Sequence, residues 1–342
     1  SSGNVLYAHN IHEQLRPASV TKVMSLLLIM EALDSNQISL DTPIPCSENA
    51  HSMGGSQIWL DTTETLTVND MLKSICVVSA NDCTVAMAEY LAGSEEAFVQ
   101  KMNERAKALG MNDTCFKNCH GIDEDGHVTS AYDIAIMSRE LLLNHPDIQK
   151  YTTIWMDSIR DGKSQLVNTN KLIRNYKGAT GLKTGSTSVA LYNLSASATR
   201  DNLSLIAVIM KAPSTKIRFA EATKLLDYGF ANYSCKSFGS KNDVVTQISI
   251  NKSIEKNVDL ILEKAANILL KKGQNSNIEQ NIVLNDNLSA PINKGTVVGK
   301  VVYTSSNEQL LEVNLLAKND IHQMTLWNLT TSLYEKWFNV LR

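Results

Sequence analysis

The chain has 342 residues, 43% of them hydrophobic, and a formal net charge of -3. That length and apolar content allow two domains with sizeable cores and exclude a disordered or low-complexity chain. Lys and Arg are dispersed and slightly outnumbered by Asp and Glu, which argues against a nucleic-acid or other polyanion partner.

The first residues, "SSGNVLYAHN", carry neither a basic nor an apolar signal pattern, and "NVLYA" reads as a strand. We expect a cleaved signal and the first elements of the fold to lie upstream. "SVTKVMSLLLIMEAL" has helical periodicity; its nearly apolar run, Val23 to Leu33, falls short of the roughly 20 residues that span a bilayer. "TVNDMLKSICVVS" and "NDCTVAMAEYLAG" read as two helices separated near Ser79. "SEEAFVQKMNERAKALG" is an amphipathic helix closed by Gly110, and "SAYDIAIMSRELLLNHP" another stopped by Pro146. "ALYNLSASATR" and "LSLIAVIMKA" form strands joined at Asp201-Asn202, a hairpin signal, before the helix "FAEATKLLDYGFANY". This order predicts an α/β (α+β) domain over residues 1–236, an antiparallel sheet with a helical subdomain.

Residues 237–323 change character. "DVVTQISI", "IEQNIVL", "TVVGKVVYT" and "QLLEVNLLA" are strand-like runs between polar turns, interrupted by one helical stretch, "NVDLILEKAANILLKKG". A small β-rich second domain follows. In the tail, residues 324–342, a stripe of Leu326, Leu329, Leu333, Trp337 and Leu341 fits either a helix docked on that domain or an amphipathic segment on a membrane surface. Six cysteines (46, 76, 83, 115, 119, 235) are too few for a disulfide framework. "CFKNCHGIDEDGH" gathers Cys115, Cys119, His120 and His127 without haem or standard zinc spacing, so it reads as a turn with incidental thiols.

Ser19 opens the first helix and Lys22 follows one turn along the same face. Ser19 is therefore either an N-cap beside a surface lysine or a nucleophile beside its base. A lone S-x-x-K decides nothing, since "SIEK" at Ser253 repeats it. S-x-N is weaker still, but K-T-G occurs once, at Lys183-Thr184-Gly185. What carries weight is conjunction and order: S-x-x-K at a helix start, Ser79-Ala80-Asn81 between two helices, and "GLKTGST" leading into the hairpin.

At "GNVLYAHNIHEQLRPASVTKVMSLLLIMEAL", "VVSANDCTVAMAEYLAGS", "FKNCHGIDEDGH" with "TSAYDIA", and "GATGLKTGSTSVALYNLSASATRDN", the sequence resembles the serine-type D-alanyl-D-alanine carboxypeptidases, low-molecular-mass penicillin-binding proteins. The likeness runs from near residue 3 to near Tyr233 and less distinctly over the β-rich domain, which that family also has. Ala80 stands where the family often has Gly. The resemblance implies a penicillin-binding/β-lactamase-like transpeptidase fold and a secreted, extracytoplasmic enzyme of the cell wall. It would release D-alanine from peptidoglycan stem peptides, be inhibited by β-lactams and need no cofactor.

It also assigns roles that the residue types can fill. Ser19 is acylated, helped by the positive end of a helix dipole. Lys22 is its base, discharged by burial and by a second cation, Lys183. Ser79 relays a proton and Asn81 holds Lys22 or substrate. Lys183, Thr184, Ser186 and Arg218 take the substrate carboxylate, with Gly185 of K-T-G completing the substrate-binding set, and the backbone N–H groups of Ser19 and Ser186 form the oxyanion hole. His120 reads as a structural loop residue. The rivals are a class A β-lactamase, for which "ELLLN" at Glu140 imitates the deacylating glutamate but reads as an exposed helix residue, and a non-catalytic peptidoglycan-binding protein.

Overall fold

The computed structural model describes residues 2–255, 257–273, 277–306, 308–328 and 330. They form two compact units that divide between Ala231 and Asn232.

The first unit opens without the expected strand at "NVLYA": Val5 and Tyr7 are exposed and no strand among the described residues pairs with them, so β propensity finds no ladder there. A 3-10 turn, Ala18–Thr21, runs directly into helix α1 (Lys22–Asp34). Strand β1 (Pro43–Pro45), the short helix α2 (Glu48–His51) and strand β2 (Thr65–Thr67) lead to α3 (Val68–Val77) and α4 (Asn81–Ala92). Then come α5 (Glu95–Ala108), capped by Ser94, and α6 (Ala131–Asn144), capped by Ser130. After the short α7 (Gln149–Thr152), strands β3 (Met156–Ile159) and β4 (Ser164–Val167) pair as a hairpin. Helix α8 (Leu172–Asn175) precedes β5 (Ala179–Thr187), β6 (Leu191–Arg200) and β7 (Leu203–Ala212), and α9 (Thr215–Asn232) follows.

Strands β5, β6 and β7 form one antiparallel sheet in that order. Asp201 and Asn202 both take positive φ, as a two-residue hairpin turn requires. Helix α1 is buried all round rather than amphipathic: Val23, Met24, Leu26, Leu27 and Ile29 are sealed in a core shared with Met71, Val85, Met87, Phe98 and Met137. A central helix of this kind fixes whatever its first turn carries.

In the second unit β8 (Tyr233–Ser237) pairs with β11 (Asn267–Lys271). The strands β9 (Val244–Ile248), β10 (Val258–Leu262), β12 (Glu279–Leu284), β13 (Val297–Ser305) and β14 (Glu308–Ala317) form a sheet of order β12-β13-β14-β10-β9. The helix expected over "NVDLILEKAANILLKKG" is therefore two strands. Its apolar spacing suits a helical face equally, but β10 is hydrogen-bonded on both edges and Val258, Leu260 and Leu262 face the core, so tertiary pairing overrides the local pattern. The amphipathic reading of the tail falls largely on residues outside those described. Among the described residues no helix is long and apolar enough to cross a membrane.

Candidate active site

Ser19 lies inside the 3-10 turn and caps nothing, contrary to the N-cap alternative. The turn begins at Ala18, which takes a left-handed φ of 49°, a conformation that costs an L-residue about 1–2 kcal/mol. Two glycines allow the neighbouring chain to close on it. A Cβ on Gly121 would stand 1.9 Å from the Ala18 carbonyl oxygen, and one on Gly185 would stand 2.8 Å from the Pro17 oxygen and 3.0 Å from the Ser19 nitrogen. Gly185 thus lets strand β5 lie against the turn, which brings K-T-G to Ser19 by backbone contact.

Lys22 is fully buried, and its Nζ donates to Ser19 Oγ (3.1 Å), Asn81 Oδ1 (2.5 Å) and the His120 carbonyl (2.7 Å). Burial holds its pKa well below the ordinary lysine value, and the charge of Lys183 pushes the same way. Lys183, equally buried, donates to the Thr184 carbonyl at 3.0 Å; burial, helped by the charge of Arg218, lowers its pKa to about 7.

Ser79 sits between α3 and α4 with φ 66°, and its buried Oγ finds no hydrogen-bond partner among the described residues. A buried hydroxyl without a partner costs about 1–3 kcal/mol, an arrangement suited to a group that engages substrate. Asn81 opens α4, its backbone N–H on the Ser56 carbonyl and its Nδ2 on the Gly54 carbonyl, which leaves Oδ1 for Lys22. Next to it, buried Asp82 accepts the N–H groups of Ile58, Leu60 and Cys83. Thr184 Oγ1 meets Thr169 Oγ1 at 2.7 Å, and Ser186 is exposed at the strand edge. Arg218 is buried rather than a surface charge: its Nη1 donates to the carbonyls of Gly185 (3.2 Å) and Asn193 (3.1 Å), and desolvation lowers its pKa to about 10.

Several residues at the site escaped the sequence reading. The His120 carbonyl is one, and its loop is pinned from every side. Glu95 Oε1 accepts the Cys119 N–H (3.1 Å) and lies 3.4 Å from His120 Nε2; Ser25 Oγ donates to the Cys119 carbonyl at 2.6 Å. His120 Nδ1 accepts from the Ile122 N–H, so the ring is a neutral structural group, its pKa lowered by burial to about 3. Asn193 is another: fully buried on β6, it donates to the Arg16 carbonyl and accepts from the Lys211 N–H, tying the strand bulge to the segment before Ser19. Neither residue carries a motif; the only local signal is "YNLS", a polar side chain inside an apolar strand.

Residues 1–214 match the family model described as D-alanyl-D-alanine carboxypeptidase. The chain belongs to that family. Residues 233–323 match the C-terminal domain of penicillin-binding protein 5. Over 324 residues, 94% of this chain and 83% of the other, it is 46% identical to the D-alanyl-D-alanine carboxypeptidase DacF of Bacillus subtilis. The crystal structure of penicillin binding protein 5 from Haemophilus influenzae aligns with a TM-score of 0.77 at 32% identity, covering 94% of this chain and 95% of that one. Penicillin-Binding Protein D2 from Listeria monocytogenes, in its ampicillin-bound form, aligns with a TM-score of 0.61 at 29% identity over 66% of this chain and 92% of that one.

The lactamase imitation dissolves within this carboxypeptidase fold. Glu140 is not exposed: it is half-buried and accepts from Arg105 Nη2 at 2.7 Å, while Arg105 Nε donates to Glu31 of α1. The pair of carboxylates around one guanidinium locks α1, α5 and α6 together. All six cysteines are free thiols, and among the described residues no three His, Cys, Asp or Glu side chains gather in a way that could hold a metal ion.

The contact of Gly121 with the Ala18 carbonyl gives a direct check. Gly121→Ala combines a positive φ with an overlap onto backbone, so it should destabilise the fold by about 2–5 kcal/mol. Denaturant unfolding measures it; a loss under about 1 kcal/mol would mean the turn at Ser19 is not held by this contact.

Proposed function

We propose that this chain is a serine D-alanyl-D-alanine carboxypeptidase that removes the terminal D-alanine from peptidoglycan stem pentapeptides through an acyl-enzyme on Ser19, and that β-lactams inhibit it by acylating the same oxygen. The observation that carries this reading is the set of acceptors around Lys22 Nζ. As an ammonium, Lys22 donates to all of them. As a neutral amine it keeps two N–H bonds, for which the shorter contacts to Asn81 Oδ1 and the His120 carbonyl compete best, and its lone pair then faces Ser19 Oγ. A base is thereby both discharged and aimed.

In the proposed reaction Lys22 takes the Ser19 proton as Oγ bonds to the carbonyl carbon of the penultimate D-alanine. The oxyanion is held by the backbone N–H groups of Ser19 and Ser186. Ser79 gives its hydroxyl proton to the leaving nitrogen and takes in return the proton held by Lys22, so that the C–N bond breaks, D-alanine departs and Lys22 is a neutral amine again. Water then attacks the ester, gives a proton to Lys22, and the acyl group leaves as Ser19 recovers its hydrogen. The substrate carboxylate pairs with Lys183, Thr184 and Ser186. Arg218, committed to the Gly185 carbonyl, holds that strand edge in place and adds positive charge behind it.

The deciding experiment is intact-mass spectrometry after exposure to penicillin. Wild type should gain one penicillin mass and Ser19→Ala none; an adduct that survives the substitution would remove Ser19 from its role.

The two buried lysines fix the pH response. Lys22 must be neutral, so kcat/KM rises with pH through its lowered pKa. Lys183 must be charged, so kcat/KM falls as pH passes about 7. Bound carboxylate favours the charged form of Lys183, so the alkaline limb of kcat should lie above that of kcat/KM. Coincident alkaline limbs would contradict the pairing.

Membership of the D-alanyl-D-alanine carboxypeptidase family supports an extracytoplasmic location for this chain, which is part of the proposal. The apolar stripe of the tail, begun by exposed Leu326 and Trp327, supports peripheral membrane attachment. The full chain should float with anionic lipid vesicles, and a version ending at residue 323 should not; equal flotation would exclude the tail.

A further inference from the structure

Trp59 is 76% exposed, yet its loop is held with the rigidity of a core segment. The amides on either side of it, Ile58 N–H and Leu60 N–H, both donate to the buried Asp82 carboxylate, at 3.0 and 3.1 Å. The carbonyls of Ile58 and Trp59 accept from Arg160, which is itself forked onto Glu64. Trp59 takes a φ of 55°, an outlier for so bulky a side chain. With its amide oriented to donate to the Met53 carbonyl, Gln57 accepts from Trp59 Nε1 at 3.3 Å, which fixes the indole as well. The backbone of this loop is strained and pinned while the ring it presents stands in solvent.

The same loop borders the proposed reaction centre. Its Gly54 and Ser56 carbonyls accept from Asn81 Nδ2 and N, and a Cβ on Gly55 would meet Asn81 Nδ2 at 2.9 Å. Asn81 is the direct partner of Lys22, and Asp82, which anchors Trp59, is its neighbour in sequence. A five-residue stem peptide extends about 17 Å, long enough for a substrate whose end is seated at Ser19 to reach beyond the catalytic residues to a bordering loop.

We infer that Trp59 is a substrate subsite, a fixed aromatic platform on which the part of the stem peptide upstream of D-alanyl-D-alanine stacks. This rests on the carboxypeptidase reading above and names how that site selects its substrate. A preorganised ring loses little freedom on binding, so its apolar face contributes selectivity at small entropic cost. Oriented in this way it discriminates long substrates from short ones, whereas the lysines and hydroxyls at Ser19 read only the terminal dipeptide.

The test compares Trp59→Ala and Trp59→Phe with wild type on a soluble stem pentapeptide and on N-acetyl-D-alanyl-D-alanine, following D-alanine release. Binding of both is titrated in a Ser19→Ala background. The ratio of kcat/KM for pentapeptide over dipeptide should fall about tenfold in Trp59→Ala, with a matching loss of pentapeptide affinity, and Trp59→Phe should recover most of both. An unchanged ratio, or an unchanged pentapeptide affinity, overturns the subsite. Failure of the carboxypeptidase reading looks different: the pentapeptide binds, and loses affinity in Trp59→Ala, but no D-alanine is released by wild type.

Discussion

The arrangement of this fold depends on burying two lysines, 22 and 183, in one place. Each loses most of its hydration, and a neighbouring cation, Lys183 for Lys22 and Arg218 for Lys183, pushes the same way, so both are driven toward the neutral form. An isolated buried ammonium would be untenable. It is tolerated for Lys22 because acceptors arrive from Ser19 on the preceding turn, from Asn81 at the start of α4 and from the loop carbonyl of His120. The helical block exists, in effect, to bring those atoms to one nitrogen, and each is backed by its own anchor: Asp82 beside Asn81, Glu95 and Ser25 around the His120 loop, Gly121 against the turn.

The sheet contributes the opposite face by a different means. Strand β5 approaches Ser19 through the missing side chain of Gly185, and the Gly185 carbonyl is fixed by Arg218 from α9. Asn193 then ties β6 and the bulge of β7 to the carbonyl of Arg16. The site is therefore bounded by a strand edge that cannot slide and a helix start that cannot rotate. Both are consistent with an enzyme whose reactivity comes from positions rather than from unusual side chains, as electrostatic preorganisation requires.

Much of this was legible beforehand where local chemistry and tertiary structure agree. Helices with clear caps, such as those after Ser94 and Ser130, appear where their signals stand, and the Asp201-Asn202 turn makes its hairpin. The order of the motifs at Ser19, Ser79 and Lys183 was legible too, and the family resemblance added the roles of those residues. What stayed illegible is what depends on the backbone of distant segments. The His120 carbonyl has no side-chain signature, the strain at Ala18 and Ser79 appears in no propensity, and β10 and β11 read as a helix because their partners β14, β9 and β8 lie elsewhere in the chain. Glu140 misled for a related reason: one-dimensional spacing placed it on a solvent face, whereas Arg105 draws it into a contact among helices.

The second S-x-x-K, at Ser253, shows why letters at the right spacing do not make a nucleophile. Ser253 Oγ faces the carbonyls of Ile250 (2.9 Å) and Glu255 (2.7 Å), so its hydrogen is committed to backbone acceptors and its hydroxyl serves to close a turn. Ser19 Oγ instead faces an amine nitrogen whose other contacts are acceptors, and burial pushes that amine toward its neutral form. The difference lies in where the serine proton can go. A carbonyl accepts a hydrogen bond and never the proton itself, whereas a discharged amine can take it; in the proposed mechanism the reactivity of Ser19 is thus a property of the partner that the fold selects, not of the serine.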